Sequence, residues 1–400
     1  MIKKEENEIL KNKGNKEDDK NKKSKKENKE ETNEDRKDKI KMNEIKNVEN
    51  KVQGQVKPED VKHEIIIKDE KKEKSDNKIE NISNKVEENK KEETKKEENK
   101  KEETKKEEIK KAVMGNDENT LATITLNHSN AERVKLRGDY QAKFGRDLLK
   151  DFDSKLKSDF KTCMVGLYKD PAEYDADLLY IAMKGIGSDK EVITEVLTFR
   201  TPDRINEIKA KFQEKYGKDL VSEIKGETSG DYQKIAMILL EGNRGTNSSP
   251  DLDNCTKIAK EIYDAGEGKI GTNEDIFIKY FTSLSKEELL LVCKEYHKNH
   301  GKNMLDTIEN EFSSNVKDLL KIILYSLYSP SEYFAKQIKG SVAGAGTSDN
   351  KLIRCVISRA DIDMKKIKKY YKKMFNAEMI DDVKNDISGA YQTVICGLIQ

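Results

Sequence analysis

The chain has 400 residues, 78 basic against 77 acidic side chains and a formal net charge of +1. The chain joins two different polymers near residue 110 and neither is strongly basic, so the basic footprint with which proteins grip nucleic-acid phosphates irrespective of sequence is not supported, and no nucleic-acid partner is expected. No apolar run approaches the roughly 20 residues that a membrane-spanning helix needs.

Residues 1–110 contain 34 basic and 32 acidic side chains, no aromatic residue and no cysteine. Such a segment buries too little apolar surface to offset its ordering entropy, so a disordered or partly helical charged extension is expected. Its end repeats a five-residue unit, from Glu87-Glu88-Asn89-Lys90-Lys91 to Glu107-Glu108-Ile109-Lys110-Lys111. In every copy the first glutamate meets a lysine four residues on, as Glu87 meets Lys91, which favours helix by a few tenths of a kcal/mol per pair. A solvated single helix and a fluctuating coil both fit. His63-Glu64-Ile65-Ile66-Ile67 is the one apolar cluster, either a short docking motif for a protein partner or a chance grouping. The start, Met1-Ile2-Lys3-Lys4, lacks the apolar stretch of a secretory signal, and a cytoplasmic location is expected.

The remaining residues divide into four similar units: 111–172, 173–244, 255–328 and 329–400, with a linker at 245–254 rich in turn residues. Landmarks at a fixed offset mark them. Phe144-Gly145, Tyr216-Gly217, His300-Gly301 and Phe375-Asn376 stand at corresponding junctions, three of them 29 residues beyond a glycine loop. Stepping back from Phe144 places the loop of the first unit at Gly115. The second unit shows the helical grammar. Asp175 to Lys184 carries Leu178, Leu179, Ala182 and Met183 on one face, and Gly185 and Gly187 stop it. Ser188 with Glu191 three residues on reads as a capping box for the next helix, which bears Val192, Ile193, Val196 and Leu197. Thr201-Pro202-Asp203 opens a third helix with Ile205, Ile208 and Phe212. A fourth runs from Asp219 to Lys225, and a fifth from Asp231 to Glu241. Five helices per unit, four units and no strand pattern make an all-α core. The five cysteines are odd in number and sit singly in these helices, which argues for reduced core thiols and against a disulfide frame or zinc site.

Three loops carry the chemistry: Met183-Lys184-Gly185-Ile186-Gly187-Ser188, Lys269-Ile270-Gly271-Thr272 and Val342-Ala343-Gly344-Ala345-Gly346-Thr347. From the last glycine of each, a carboxylate follows 40 residues on: Glu227, Glu311 and Asp386. Glycines let successive carbonyls turn toward one spot, and the acid adds a charged oxygen. Such hard ligands suit Ca²⁺, which takes six to eight oxygens. One acid and a few carbonyls leave positions open, so the ion alone should bind weakly, in the ~10⁻⁴–10⁻³ M range. A phosphate oxygen in the open positions would tighten binding, making the metal a bridge between the protein and an anionic surface. Ile186 and Ile270 stand beside two of these sites, placed for membrane contact.

These motifs, with Gly226-Glu227-Thr228-Ser229-Gly230-Asp231-Tyr232 and Ala265-Gly266-Glu267-Gly268, resemble those of the annexins over residues 112–400. The resemblance implies four five-helix repeats in a curved disc that binds acidic phospholipid through Ca²⁺ on its convex face, peripherally and when Ca²⁺ rises. It implies ligands at Met183, Gly185, Gly187 and Glu227, at Gly266, Lys269, Gly271 and Glu311, and at Val342, Gly344, Gly346 and Asp386. It also likens Asp175, Arg200 and Arg354 to charged residues of the family's central passage, where interhelical salt bridges are the expected role. Repeat one departs. Val113 stands where a loop glycine is expected, Lys155 replaces the acid, and the preceding helix, Glu103 to Ala112, is almost wholly charged and expected to pack poorly. Repeat three has Glu311-Phe312-Ser313-Ser314 in place of the Thr-Ser-Gly turn.

An alternative is a cytoskeleton-associated scaffold, a role suggested by divergent members of protist flagellates, the alpha-giardins. Catalysis is not expected. No nucleophile–base pair is evident, and His297 and His300, at helical spacing, lack a third ligand.

Overall fold

The computed structural model describes residues 102–400 apart from Ile186 and Ala345. The expectations for the charged extension, and for Ile186, therefore lie outside the described residues. The described residues contain twenty helices and no strand. In repeat one these are α1 (102–115), α2 (Glu118–Leu126), α3 (Asn130–Phe144), α4 (Leu148–Lys155) and α5 (Ser158–Leu167). Repeat two has α6 (Pro171–Ala182), α7 (Lys190–Phe199), α8 (Pro202–Tyr216), α9 (Leu220–Glu227) and α10 (Gly230–Glu241). Repeat three has α11 (Leu252–Ala265), α12 (Glu274–Ser283), α13 (Lys286–His300), α14 (Met304–Glu311) and α15 (Ser314–Tyr328). Repeat four has α16 (Pro330–Ser341), α17 (Asp349–Arg359), α18 (Met364–Phe375), α19 (Met379–Asp386) and α20 (Gly389–Ile399).

Local chemistry sets the boundaries. Pro171, Pro202 and Pro330 open helices at the position where a missing N–H is harmless. The junctions read from sequence are helix ends: Gly145, Gly217 and Gly301 cap α3, α8 and α13 in the left-handed conformation, and Asn376 does so for α18. One expected cap moves. Asp189, not Ser188, caps α7, its carboxylate accepting from the Glu191 and Val192 amides. The Ser188 hydroxyl is used elsewhere, as described below.

The repeats pair. One apolar cluster joins repeats two and three, with Leu179, Ile193, Phe212, Phe277, Val292 and Ile308 fully buried. A second joins repeats one and four, with Val113, Tyr140, Phe152, Phe334, Ile353 and Val394 at its centre. In each pair, the last helix of one repeat packs on the second helix of its mate: α10 on α12, α15 on α7, α5 on α17 and α20 on α2. α20 meets α2 closely, and a Cβ on Gly397 would stand 2.5 Å from both methyls of Leu126. The five cysteines are buried in these cores and are not joined in disulfides.

Charge ties the pairs together. Arg354 of repeat four reaches Glu195 and Glu191 of repeat two, each at 3.1 Å, and Lys351 reaches Glu191 at 2.9 Å. Arg200 makes two bonds to Asp175, at 2.6 and 2.8 Å. Asp175, Arg200 and Arg354 are thus members of buried ion pairs. A cavity of about 690 Å³ lies beside the Glu191–Lys351 pair, lined by Glu191, Thr194, Tyr325, Tyr333 and Lys351 among others.

The first helix corrects an expectation. α1 runs through the expected boundary at residue 110 and packs, with Ile109 and Val113 fully buried and Ala112 nearly so. Its charged face is held by α3: Lys143 pairs with Glu103 at 2.7 Å and Glu107 at 2.9 Å, and the Lys110 ammonium stands 4.3 Å from the Phe144 ring centre. Three apolar residues at helical spacing suffice because the lysine and glutamate stems cover the rest.

Candidate metal and membrane-binding loops

In every repeat, the loop after the first helix is closed by one backbone bond. Asp117 donates to the Ala112 carbonyl at 2.8 Å, Asp189 to Ala182 at 2.8 Å, Asn273 to Ala265 at 2.7 Å and Ser348 to Ser341 at 2.8 Å. The bond encloses residues 183–188 in repeat two, 266–272 in repeat three and 342–347 in repeat four, but only 113–116 in repeat one. Repeat one's loop is therefore shorter by two residues than those of repeats two and four.

Left-handed glycines shape the long loops: Gly185 (φ 106°) and Gly187 (φ 81°), Gly271 (φ 81°), and Gly344 (φ 107°) and Gly346 (φ 95°). A side chain at these angles would be strained, so glycine is the residue the turn requires. The short loop has one left-handed position, Asn116 (φ 53°). The register also changes. Val113 follows Ala112 as Met183 follows Ala182, and both side chains are buried. The expectation that Val113 replaces a loop glycine is corrected: it is a core residue, and the loop, which keeps Gly115 two residues before its closing amide as Gly187 is, is two residues short.

A hydroxyl joins each long loop to the turn that bears its acid. Ser188 donates to the Glu227 carbonyl at 3.2 Å. Thr272 donates to the Glu311 carboxylate at 2.5 Å and contacts its carbonyl at 3.4 Å. Thr347 bonds the Asp386 carboxylate and lies 3.2 Å from its carbonyl. The 40-residue interval is thus a spatial contact. Glu227 is exposed, and Glu311 and Asp386 are half-buried. In repeat three the Gly266 carbonyl accepts the Lys269 amide at 2.9 Å, leaving a second lone pair. A Cβ on Gly266 would stand 3.2 Å from Glu311, so glycine there lets the acid approach. Val342 is half-buried beside its loop. Ile270 is fully exposed at the tip. Lys155 is exposed at the end of α4, in the position of the acids.

The turn after the acid also repeats. Gly230 and Gly389 adopt left-handed φ of 60° and 68°, and Ser158 and Ser314 take the same region at 51° and 52°. Repeat three therefore keeps the turn geometry despite its serines, and Glu311 holds its place. Sequence reading missed this because serine does not announce a positive φ.

The donor set is all oxygen: carbonyls, one carboxylate and a hydroxyl-braced loop. Among the described residues, no group of three or more His, Cys, Asp or Glu side chains comes together to hold a metal. A site here must draw on backbone carbonyls, as one that leaves coordination positions free for an outside ligand does. No described helix is long and apolar enough to cross a membrane.

This architecture, four five-helix repeats with a braced glycine loop and acid in three of them, defines a repeat protein of the annexin type. A model of the annexin family matches residues 106–167, 174–239, 257–323 and 333–398, and the chain belongs to that family. It is 36% identical to annexin A5 of Bos taurus over 287 residues, 71% of this chain and 89% of that protein. It is 35% identical to annexin A7 of Dictyostelium discoideum over 290 residues, 72% of this chain and 62% of that protein. Among solved structures it resembles annexin III with a TM-score of 0.72 at 32% identity, over 75% of this chain and 94% of that one. Its likeness to calcium-bound alpha-14 giardin (TM-score 0.64, 20% identity, 74% and 98% coverage) is one of fold alone. Annexins in general bind phospholipid in a Ca²⁺-dependent manner, are not enzymes, and associate with membranes peripherally.

Proposed function

We propose that this chain binds acidic phospholipid membranes through Ca²⁺ held at three loops. Met183, Gly185 and Gly187 with Glu227 form the site of repeat two. Gly266, Lys269 and Gly271 with Glu311 form that of repeat three, and Val342, Gly344 and Gly346 with Asp386 that of repeat four. The Ca²⁺ ion supplies positive charge between protein carbonyls and lipid phosphate. Met183 and Val342 anchor their loops, the glycines let carbonyls face outward, and each acid adds the single charged ligand. The observation that carries this reading is the threefold recurrence of one construction: a left-handed glycine loop tied by a Ser or Thr hydroxyl to an acid 40 residues on. Ile270, wholly exposed at the tip of repeat three, is suited to enter the lipid interface.

Sedimentation with liposomes containing acidic lipid tests it. The chain should pellet with liposomes in Ca²⁺ and stay in the supernatant in EGTA. Glu227→Gln with Glu311→Gln and Asp386→Asn removes the charged ligand of all three sites while keeping shape, and should abolish Ca²⁺-dependent pelleting without unfolding the core. Wild-type Ca²⁺ dependence in that variant would overturn the assignment. Failure to pellet with the liposomes even in Ca²⁺ would overturn it and favour a scaffold role instead.

A further inference from the structure

The connectivity of each repeat gives it two ends. The first-to-second helix loop and the fourth-to-fifth helix turn meet at one end, as the Ser188–Glu227 and Thr347–Asp386 contacts show. The second helix runs away from that end and the fourth returns to it, so the third helix starts and finishes at the opposite end. Lys234 bonds Asp275 at 3.0 Å and Lys351 bonds Glu191 at 2.9 Å, joining loop-proximal ends of helices from different repeats. The loop ends of repeats two, three and four therefore share one face, and α8, α13 and α18 lie across the other.

One of these helices is unlike the rest. α18, Met364-Lys365-Lys366-Ile367-Lys368-Lys369-Tyr370-Tyr371-Lys372-Lys373-Met374-Phe375, has six lysines and no acid. Met364, Ile367 and Tyr371 are buried, whereas Lys365, Lys366, Lys369, Lys372 and Lys373 are exposed. At 100° per residue these five fall on one stripe of about 120°. Lys372 pairs with Glu378, and Lys368 donates to the Gln400 carbonyl at 2.7 Å.

The fold does not call for this pattern. Lys365 and Lys366 occupy the first turn, where the helix dipole disfavours cations. Lysines three and four apart along the stripe repel one another. The counterparts carry acids in their first turns: Glu132 in α3, Asp203 in α8, and Glu287 and Glu288 in α13.

We propose that α18 is a docking surface for an extended acidic polypeptide segment of a partner protein, on the face opposite the glycine loops. Geometry supports that occupant. Lys365, Lys369 and Lys373 advance four residues at a time, about 6 Å per step. Alternate side chains of an extended peptide advance about 6.8 Å. Flexible lysine stems absorb the difference, so a run of alternating carboxylates pairs along the row. Two other polyanions fit less well. A flat anionic membrane would also meet Asp203, Glu207, Glu214 and Glu287, exposed on the same face. A nucleic-acid strand favours arginine and exposed rings on which bases stack; α18 has no arginine, Tyr370 is half-buried and Tyr371 is buried.

The test uses the full chain in EGTA, so that it is independent of the Ca²⁺ loops. A fluorescein-labelled oligoglutamate is titrated by anisotropy at low and raised salt. Saturable binding that weakens with salt is expected. Lys365→Gln with Lys369→Gln and Lys373→Gln should lower affinity by about tenfold or more with an unchanged circular dichroism spectrum. The matched variant Lys286→Gln, Lys294→Gln and Lys298→Gln on α13 should bind as wild type. Wild-type affinity in the α18 variant, or an equal loss in the α13 variant, would overturn the proposal. So would tighter, lysine-dependent binding of a single-stranded oligonucleotide or of acidic vesicles in EGTA.

Discussion

Repeat one and its three successors share a backbone plan and differ at one end of it. All four close the first loop with the same amide-to-carbonyl bond. Three then spend six or seven residues on a glycine loop braced to an acid, whereas repeat one spends four and ends at Lys155. The core does not register the loss: Val113 fills the place of Met183, and Ile109 and Tyr140 pack beneath it. Loop and core are thus separable. Packing is set by a few buried positions per helix, while the loop is an excursion whose length the packing does not constrain.

That separation can be broken by experiment, and the largest effect is expected at Val113. Val113→Gly with Lys155→Glu restores a glycine and an acid in name only. Because Val113 is fully buried, the change should destabilise the core by about 3–4 kcal/mol through lost burial, a cavity and added backbone freedom. No metal site should appear. The contrasting variant replaces residues 113–116 with Met-Lys-Gly-Ile-Gly-Ser and adds Lys155→Glu. It should melt near wild type and raise Ca²⁺ stoichiometry in the presence of lipid. Thermal denaturation and metal analysis read both. A gain of metal by the first variant, or none by the second, would break the argument that loop length decides the site.

How much of this was legible beforehand follows from the same comparison. The three loop–acid pairs were, because glycine, Ser or Thr and the acid recur at one interval and that interval is a contact in the fold. The helix junctions were, because Gly145, Gly217 and Gly301 adopt the conformation glycine is suited to. Repeat one was misread because a fixed offset back from Phe144 lands on Gly115, and a loop two residues short shifts everything before it. Its first helix looked too charged to pack, since Ile109 and Val113 are few and the ion pairs to Lys143 come from another helix. The cap of α7 was misplaced by one residue because Ser188 and Asp189 are both good capping residues, and only the bond to Glu227 shows which is occupied. The pairing of repeat one with four rests on contacts between distant segments that no local pattern reveals.

A smaller effect separates repeats at the turn after the acid. Ser158 and Ser314 hold φ near 50° where Gly230 and Gly389 stand in the other two repeats. A residue with a Cβ is disfavoured there by roughly 1–2 kcal/mol, partly returned because glycine is freer when unfolded. Ser314→Gly should therefore raise stability by about 1 kcal/mol or less, and Ser158→Gly similarly. A fall in melting temperature for both would mean that the serine side chains support the turn in ways the backbone does not show.

The smallest effect lies at the seam between mates. In the pair of repeats two and three, Lys234 stands between Asp231, at 2.9 Å, and Asp275, at 3.0 Å. Seven residues past the acid position in repeat one stands Thr162, which is exposed as Lys234 is. Asp159 lies near enough to Asp349, across the seam of repeats one and four, for its charge to act on it, and no lysine stands at the position of Lys234. Burial, and then the charges of Asp159 and Asp386, hold the Asp349 carboxyl above its ordinary range. An acid whose folded value is raised binds its proton more tightly when folded, so its charge works against the fold above that value and the penalty fades as pH falls through it. Thr162→Lys should supply the missing cation. The pair is largely solvated, so the gain should be at most about 0.5 kcal/mol. In EGTA it should be larger at neutral pH than near pH ~4, where Asp349 is partly protonated, and it should shrink in high salt. An increase in melting temperature independent of pH and salt would mean that the lysine stem acts by packing, and the electrostatic contrast between the two seams would fail.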